Sequence, residues 1–80
     1  MEKSFQGTVD GIDVQAFEGQ PVRWSAILNP PGEDPFQIFA DERRLQSALE
    51  LASAKKCLVE VSVKDDDTLK VAIRVRLLDR

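Results

Sequence analysis

From residue 57 to residue 78, apolar and polar side chains alternate almost without interruption. Cys57, Val59, Val61 and Val63 take turns with Leu58, Glu60, Ser62 and Lys64. Beyond Asp65-Asp66-Asp67-Thr68, Leu69, Val71, Ile73, Val75 and Leu77 take turns with Lys70, Ala72, Arg74, Arg76 and Leu78. Successive side chains of a strand point to opposite faces, so the stretch predicts two half-buried strands joined by a polar turn. Most of the apolar members are β-branched, which suits a pleated, packed surface. Whatever else the chain forms must be built against this hairpin.

The alternation also limits the register. Directly opposed residues share a face, which excludes a two-residue loop at Asp66-Asp67. A three-residue loop sets Glu60 opposite Arg74 and Val61 opposite Ile73; a five-residue loop sets Val61 opposite Val71 and Glu60 opposite Ala72. The shorter loop gains a cross-strand ion pair of roughly 0.2–1 kcal/mol and is preferred, although it also sets Lys64 against Lys70.

Upstream, Phe5 to Ala16 alternates in two phases, Phe5, Gly7 and Val9 and then Ile12, Val14 and Ala16, with the slip at Asp10-Gly11. A hairpin turn there would make two short strands. A β-bulge at Gly11 would keep one long, curved strand on the same face, and a slip of one residue favours the bulge. Phe17 to Pro21 reads as a turn. From Val22 to Leu28, Val22, Trp24, Ala26 and Leu28 form an apolar row, with Trp24 expected as a core anchor. Three prolines make Asn29 to Pro35 a loop. Phe36 to Phe39 reads as a short strand. Asp41 to Lys55 reads as a helix, with Asp41 as N-cap, Glu42 in the first turn and a stripe of Leu45, Ala48, Leu49 and Ala52, flanked by Leu51.

The element order is thus long strand, strand, short strand, helix, strand, strand. That order, with one helix between the third and fourth strands and a bulge in the first, resembles the OB-fold, a five-stranded barrel. No sequence motif accompanies the resemblance. The alternative is an open α+β antiparallel sheet with the helix on one face, which follows if Asp10-Gly11 is a hairpin turn.

Eighty residues allow one domain, and a chain this short buries only about 60% of its unfolded surface. With 42% hydrophobic and 31% charged residues it is globular rather than disordered. The net charge of −3 is unevenly spread, since the first forty residues carry only Lys3 and Arg23 against six acids. Nonspecific binding of nucleic acid or anionic membrane by that half is disfavoured. No apolar run is long enough to span a membrane and no signal-peptide core is evident, so a soluble, cytoplasmic protein is expected.

Chemistry is thinly represented. There is no His and no Tyr, and the single cysteine, Cys57, lacks both a disulfide partner and an activating base. It is expected as a packed thiol at the start of an inward row. The glycines form no phosphate-cradling loop. Glu33-Asp34 lies on a loop, and Asp65-Asp66-Asp67 lacks the spaced ligands and turn glycine of a calcium loop. No enzyme activity, cofactor or metal is expected.

Two binding readings remain. OB barrels often hold single strands through aromatics and a basic groove. Here Arg74, Arg76, Lys64 and Lys70, with Arg23 across the barrel, would supply the cations, but the acidic hairpin tip opposes phosphate. The favoured reading is a noncatalytic interaction module that binds another protein or itself. Ile27, Leu58 and Leu78 fall on otherwise polar faces and form a candidate apolar patch. The candidate partner or ligand surface is therefore Arg23, Ile27, Leu58, Arg74, Arg76 and Leu78.

Overall fold

A computed structural model describes residues 2–16, 18–19, 22–65 and 69–78. Five strands and one helix follow in the order β1 (Glu2–Gln15), β2 (Arg23–Asn29), β3 (Phe36–Phe39), α1 (Arg43–Lys55), β4 (Leu58–Asp65) and β5 (Lys70–Leu78). The strands close into a barrel in the order β1-β2-β3-β5-β4. This is the small OB-like barrel that the element order suggested, and the open sheet is set aside.

Closure depends on how β1 is used twice. Its first half, Glu2 to Gly7, pairs antiparallel with β4, and its second half, Thr8 to Gln15, pairs antiparallel with β2. The register against β2 slips between Asp10 and Asp13, and Gly11 has a φ of 59°. A left-handed residue costs glycine little, so the bulge forms there and curves the half of the strand that pairs with β2. Asp10-Gly11 is therefore a bulge and not a hairpin turn. On the opposite side, β3 and β5 run parallel and, among the described residues, share one ladder pair, Phe39 with Val71.

The barrel interior is filled by Val9, Trp24, Ala26, Leu28, Ile38, Val59, Val61, Val63 and Ala72, and α1 adds Leu45, Leu49 and Ala52. Each fully buried Val or Leu contributes about 1.5–3 kcal/mol, so this short chain draws its stability from few positions. The stripe expected on α1 is the one that packs; Leu51, on its flank, stays 46% exposed. At one barrel mouth Phe5 and Phe36 meet edge to face at 4.9 Å, with the Lys70 ammonium 5.3 Å from the Phe36 ring.

Several expectations are corrected. The helix starts at Arg43 with Glu42 at the N-cap, in extended conformation but without a side-chain capping bond. Asp41 does not cap; its carboxylate turns toward Arg23 instead, 3.7 Å away. Val22 lies outside β2 and is 61% exposed. Cys57 precedes β4 and is half-buried, its N–H donating to the Ala52 carbonyl at 3.1 Å as the helix closes.

The largest correction concerns the β4–β5 hairpin. Near its open end, Glu60 faces Arg76 and Val61 faces Val75. Between Ser62 and Val63 the register shifts, so Ser62 faces Arg74 while Val63 faces Ala72. Ile73 is the extra residue of a second bulge. Beyond it the phase inverts: Ala72, read as outward, is buried, and Ile73, read as inward, is 39% exposed. The predicted Lys64–Lys70 clash disappears, since Lys64 faces Val71. The turn at residues 66–68 lies outside the described residues, as do 17, 20 and 21 of the first turn.

Candidate interaction surface

The outer wall of β4 and β5 is built by the hairpin register. Leu58 opposes Leu78, Glu60 opposes Arg76 and Ser62 opposes Arg74. Arg76 donates through Nη2 to Glu60 Oε1 at 2.8 Å, making the cross-strand ion pair that the sequence assigned to Arg74. Both side chains reach solvent, so the bond holds the register more than it stabilises the barrel. Arg74 sits above Ser62, whose hydroxyl is occupied by Ser4 Oγ at 3.0 Å. Among the described residues no ion pair restrains the Arg74 guanidinium.

The candidates Leu58, Leu78, Arg74 and Arg76 therefore share one wall. Leu58 is 36% exposed and Leu78 half-buried, so the pair forms an apolar step beside two guanidinium groups. The bulge adds Ile73 on the same strand, and Leu77 is also exposed. Sequence reasoning missed these two because it gave both to the interior. No glycine marks this bulge, and only the small size of Ala72 distinguishes its position in the row.

Ile27 and Arg23 do not join them. Both lie on β2, which β1 separates from β4. Ile27 is half-buried, opposite Asp10 on one side and Gln37 on the other. The Arg23 guanidinium carbon lies 4.8 Å from the Phe39 ring centre, a stacking worth about 0.5–1 kcal/mol. Its Nε finds no hydrogen-bond partner, and its ion pair with Asp41 is long and exposed. Stacking, rather than hydrogen bonding, holds this arginine. Next to it Gln37 Nε2 donates to Ser25 Oγ at 3.2 Å, which closes that face with polar contacts.

The outer side of β1 carries the opposite charge. Asp10 and Asp13 are exposed there, with Asp13 Oδ2 accepting from Gln15 Nε2 at 2.9 Å. Ile12 and Val14, on the same half-strand, are also exposed, Val14 to 56%. Beneath them a cleft of about 430 Å³ runs between Val14 and Trp24 on the barrel and Arg43, Gln46, Ser47 and Glu50 on α1. Trp24 is buried as the sequence predicts and offers the cleft little surface.

Among the described residues no group of three or more Cys, Asp or Glu side chains is placed to hold a metal ion. The Asp66-Asp67 part of the acidic run lies outside those residues. No helix is long and apolar enough to cross a membrane. Comparison with protein-family models, with curated proteins and with solved structures finds no match for the chain.

Proposed function

We propose that this protein is a noncatalytic interaction module that binds another protein or a second copy of itself. The observation that carries the reading is the wall of β4 and β5, where Leu58 reaches solvent beside Arg74 and Arg76 and where Ile73 and Leu77 are exposed along the same strand as the arginines. Apolar residues set beside arginine fit a protein surface, because arginine is enriched and lysine depleted where proteins meet. Strand edges add main-chain donors and acceptors that a partner strand can use. The reading needs no cofactor, and it places the protein in the cytoplasm, where a lone thiol such as Cys57 stays reduced.

The rival reading, single-stranded nucleic acid or a small ligand, draws on the same arginines. It has less support. Arg23 is committed to Phe39, and Asp10 and Asp13 face any backbone phosphate approaching β1.

Two measurements on the intact protein test the proposal together. Sedimentation over a wide concentration range reads self-association, and titration calorimetry against extended peptides of alternating acidic and apolar residues reads partner binding. At least one is expected to be positive. A strict monomer that binds no such peptide overturns the proposal, and anisotropy of short single-stranded oligonucleotides rising at low salt would replace it with the rival.

A further inference from the structure

Among the described residues, two half-strands in this barrel have a strand partner on one side only. Beyond Gly7, β1 no longer pairs with β4, so Asp10 to Gln15 has β2 alone. Beyond Val71, β5 no longer pairs with β3, so Ile73 to Leu78 has β4 alone. The helix α1 packs beside both strands, leaving clefts between it and β1, but among the described residues it gives neither edge a backbone hydrogen bond. Unpaired strand edges are places where another strand adds.

The two edges are chemically matched. On β5 the sequence Ile73-Arg74-Val75-Arg76 alternates apolar with basic. On β1, Asp10-Gly11-Ile12-Asp13-Val14 alternates acidic with apolar around the bulge. Set antiparallel, Arg74 opposes Asp13, Ile73 opposes Val14 and Val75 opposes Ile12. The bulge at Gly11 then brings Asp10 opposite Arg76. This is the spacing β2 already accepts, since Ser25 faces Asp13 and Ile27 faces Asp10. Base meets acid on the outer face, and apolar meets apolar on the inner.

We propose that β5 of one copy pairs in this way with the second half of β1 of another copy. The proposal rests on the interaction-module reading and names its partner. Like edges match less well: in the centred register β5 against β5 opposes Arg74 with Arg76, and β1 against β1 opposes Asp10 with Asp13, both repulsive. The contact is therefore heterologous, and a pair of copies keeps one β1 edge and one β5 edge free for further copies. The short ribbon makes it a weak, concentration-dependent contact. Its charge pairs make it sensitive to salt.

Sedimentation of the wild-type chain and two variants tests this. The Arg74→Gln/Arg76→Gln variant keeps only the β1 edge competent, and the Asp10→Asn/Asp13→Asn variant keeps only the β5 edge. Wild type is expected to grow beyond the dimer with concentration and to return toward monomer at high salt. Each variant alone is expected to be a monomer, and an equimolar mixture is expected to stop at a one-to-one dimer. The wild-type salt series stands even if a variant folds poorly, which its circular dichroism melt reports. A wild-type monomer at every concentration and salt overturns the proposal. If that monomer binds acidic–apolar peptides, the module reading survives with a foreign partner. Wild-type association that the variants leave unchanged overturns this interface but keeps self-association.

Discussion

Gly7 shows how much one missing methyl group decides. It lies on β1 where β4, on one side, gives way to β2 on the other, and it is buried. A Cβ there would strike the Asn29 carbonyl oxygen, and would lie 2.7 Å from the carbonyl carbon and 2.9 Å from Pro30 Cα. All three are backbone atoms and cannot rotate away. Gly7→Ala is expected to cost about 1–3 kcal/mol, as overpacking does. For a domain of this size each kcal/mol lowers the melting midpoint by about 4–8 °C, so a calorimetric melt reads it directly. An unchanged midpoint would mean that the two strands do not approach this closely. Gly11 makes a different demand, on conformation, because its φ is positive and Ile27 lies against it.

At the scale of elements, α1 has unequal ends. Its N-terminus lacks a side-chain cap, and its first turn holds no acid. Its C-terminus is closed by backbone bonds from Lys56 to the Ser53 carbonyl and from Cys57 to the Ala52 carbonyl, with Lys56 at φ 56°. That left-handed position is where helices usually place glycine. Lys56→Gly is expected to stabilise the protein by about 1 kcal/mol, since a side chain in this conformation costs about 1–2 kcal/mol and glycine returns part of that in chain entropy. A chemical denaturation midpoint that falls instead would show that the lysine side chain contributes contacts of its own.

The elements also show what was legible before any coordinates. The stripe on α1, the Val59-Val61-Val63 row and the bulge at Gly11 were readable because periodicity and glycine mark them. The bulge at Ile73 was not, because nothing in Ala72-Ile73-Arg74 differs locally from a regular strand. Pairing with β4 on one side and β3 on the other curves β5, and that tertiary demand accommodates the extra residue. Missing it displaced the Glu60 partner from Arg76 to Arg74 and hid the exposure of Ile73. The candidate wall was therefore half legible: Leu58, Leu78, Arg74 and Arg76 share it, while Ile27 and Arg23 belong to β2. Sequence periodicity places residues on faces but does not say which faces adjoin once a sheet closes.

For the molecule as a whole, the uneven charge along the chain becomes an uneven charge in space. Three of the six acids of the first half, Glu2, Asp10 and Asp13, lie on β1, and Arg74 and Arg76 lie on β5. A net charge of −3 alone describes neither side. All five strands and α1 contribute to one core cluster, but among the described residues the backbone ladder between β3 and β5 has the single pair Phe39 with Val71. Amide hydrogen exchange is expected to be faster at Phe39 and Val71 than at Val61 and Val63, because local opening begins where few bonds must break. Equal protection at all four amides would show that the parallel junction is as firm as the antiparallel ladders.

That single bridge has a mechanical corollary. A cylinder fastened along one side by one stitch can part there while the remaining seams hold, becoming a curled ribbon with the helix still fastened beneath it. In that state the unmatched flank of β5 would lengthen by exposing the bonds that Phe39 now occupies, giving any incoming strand a longer track than the closed form offers.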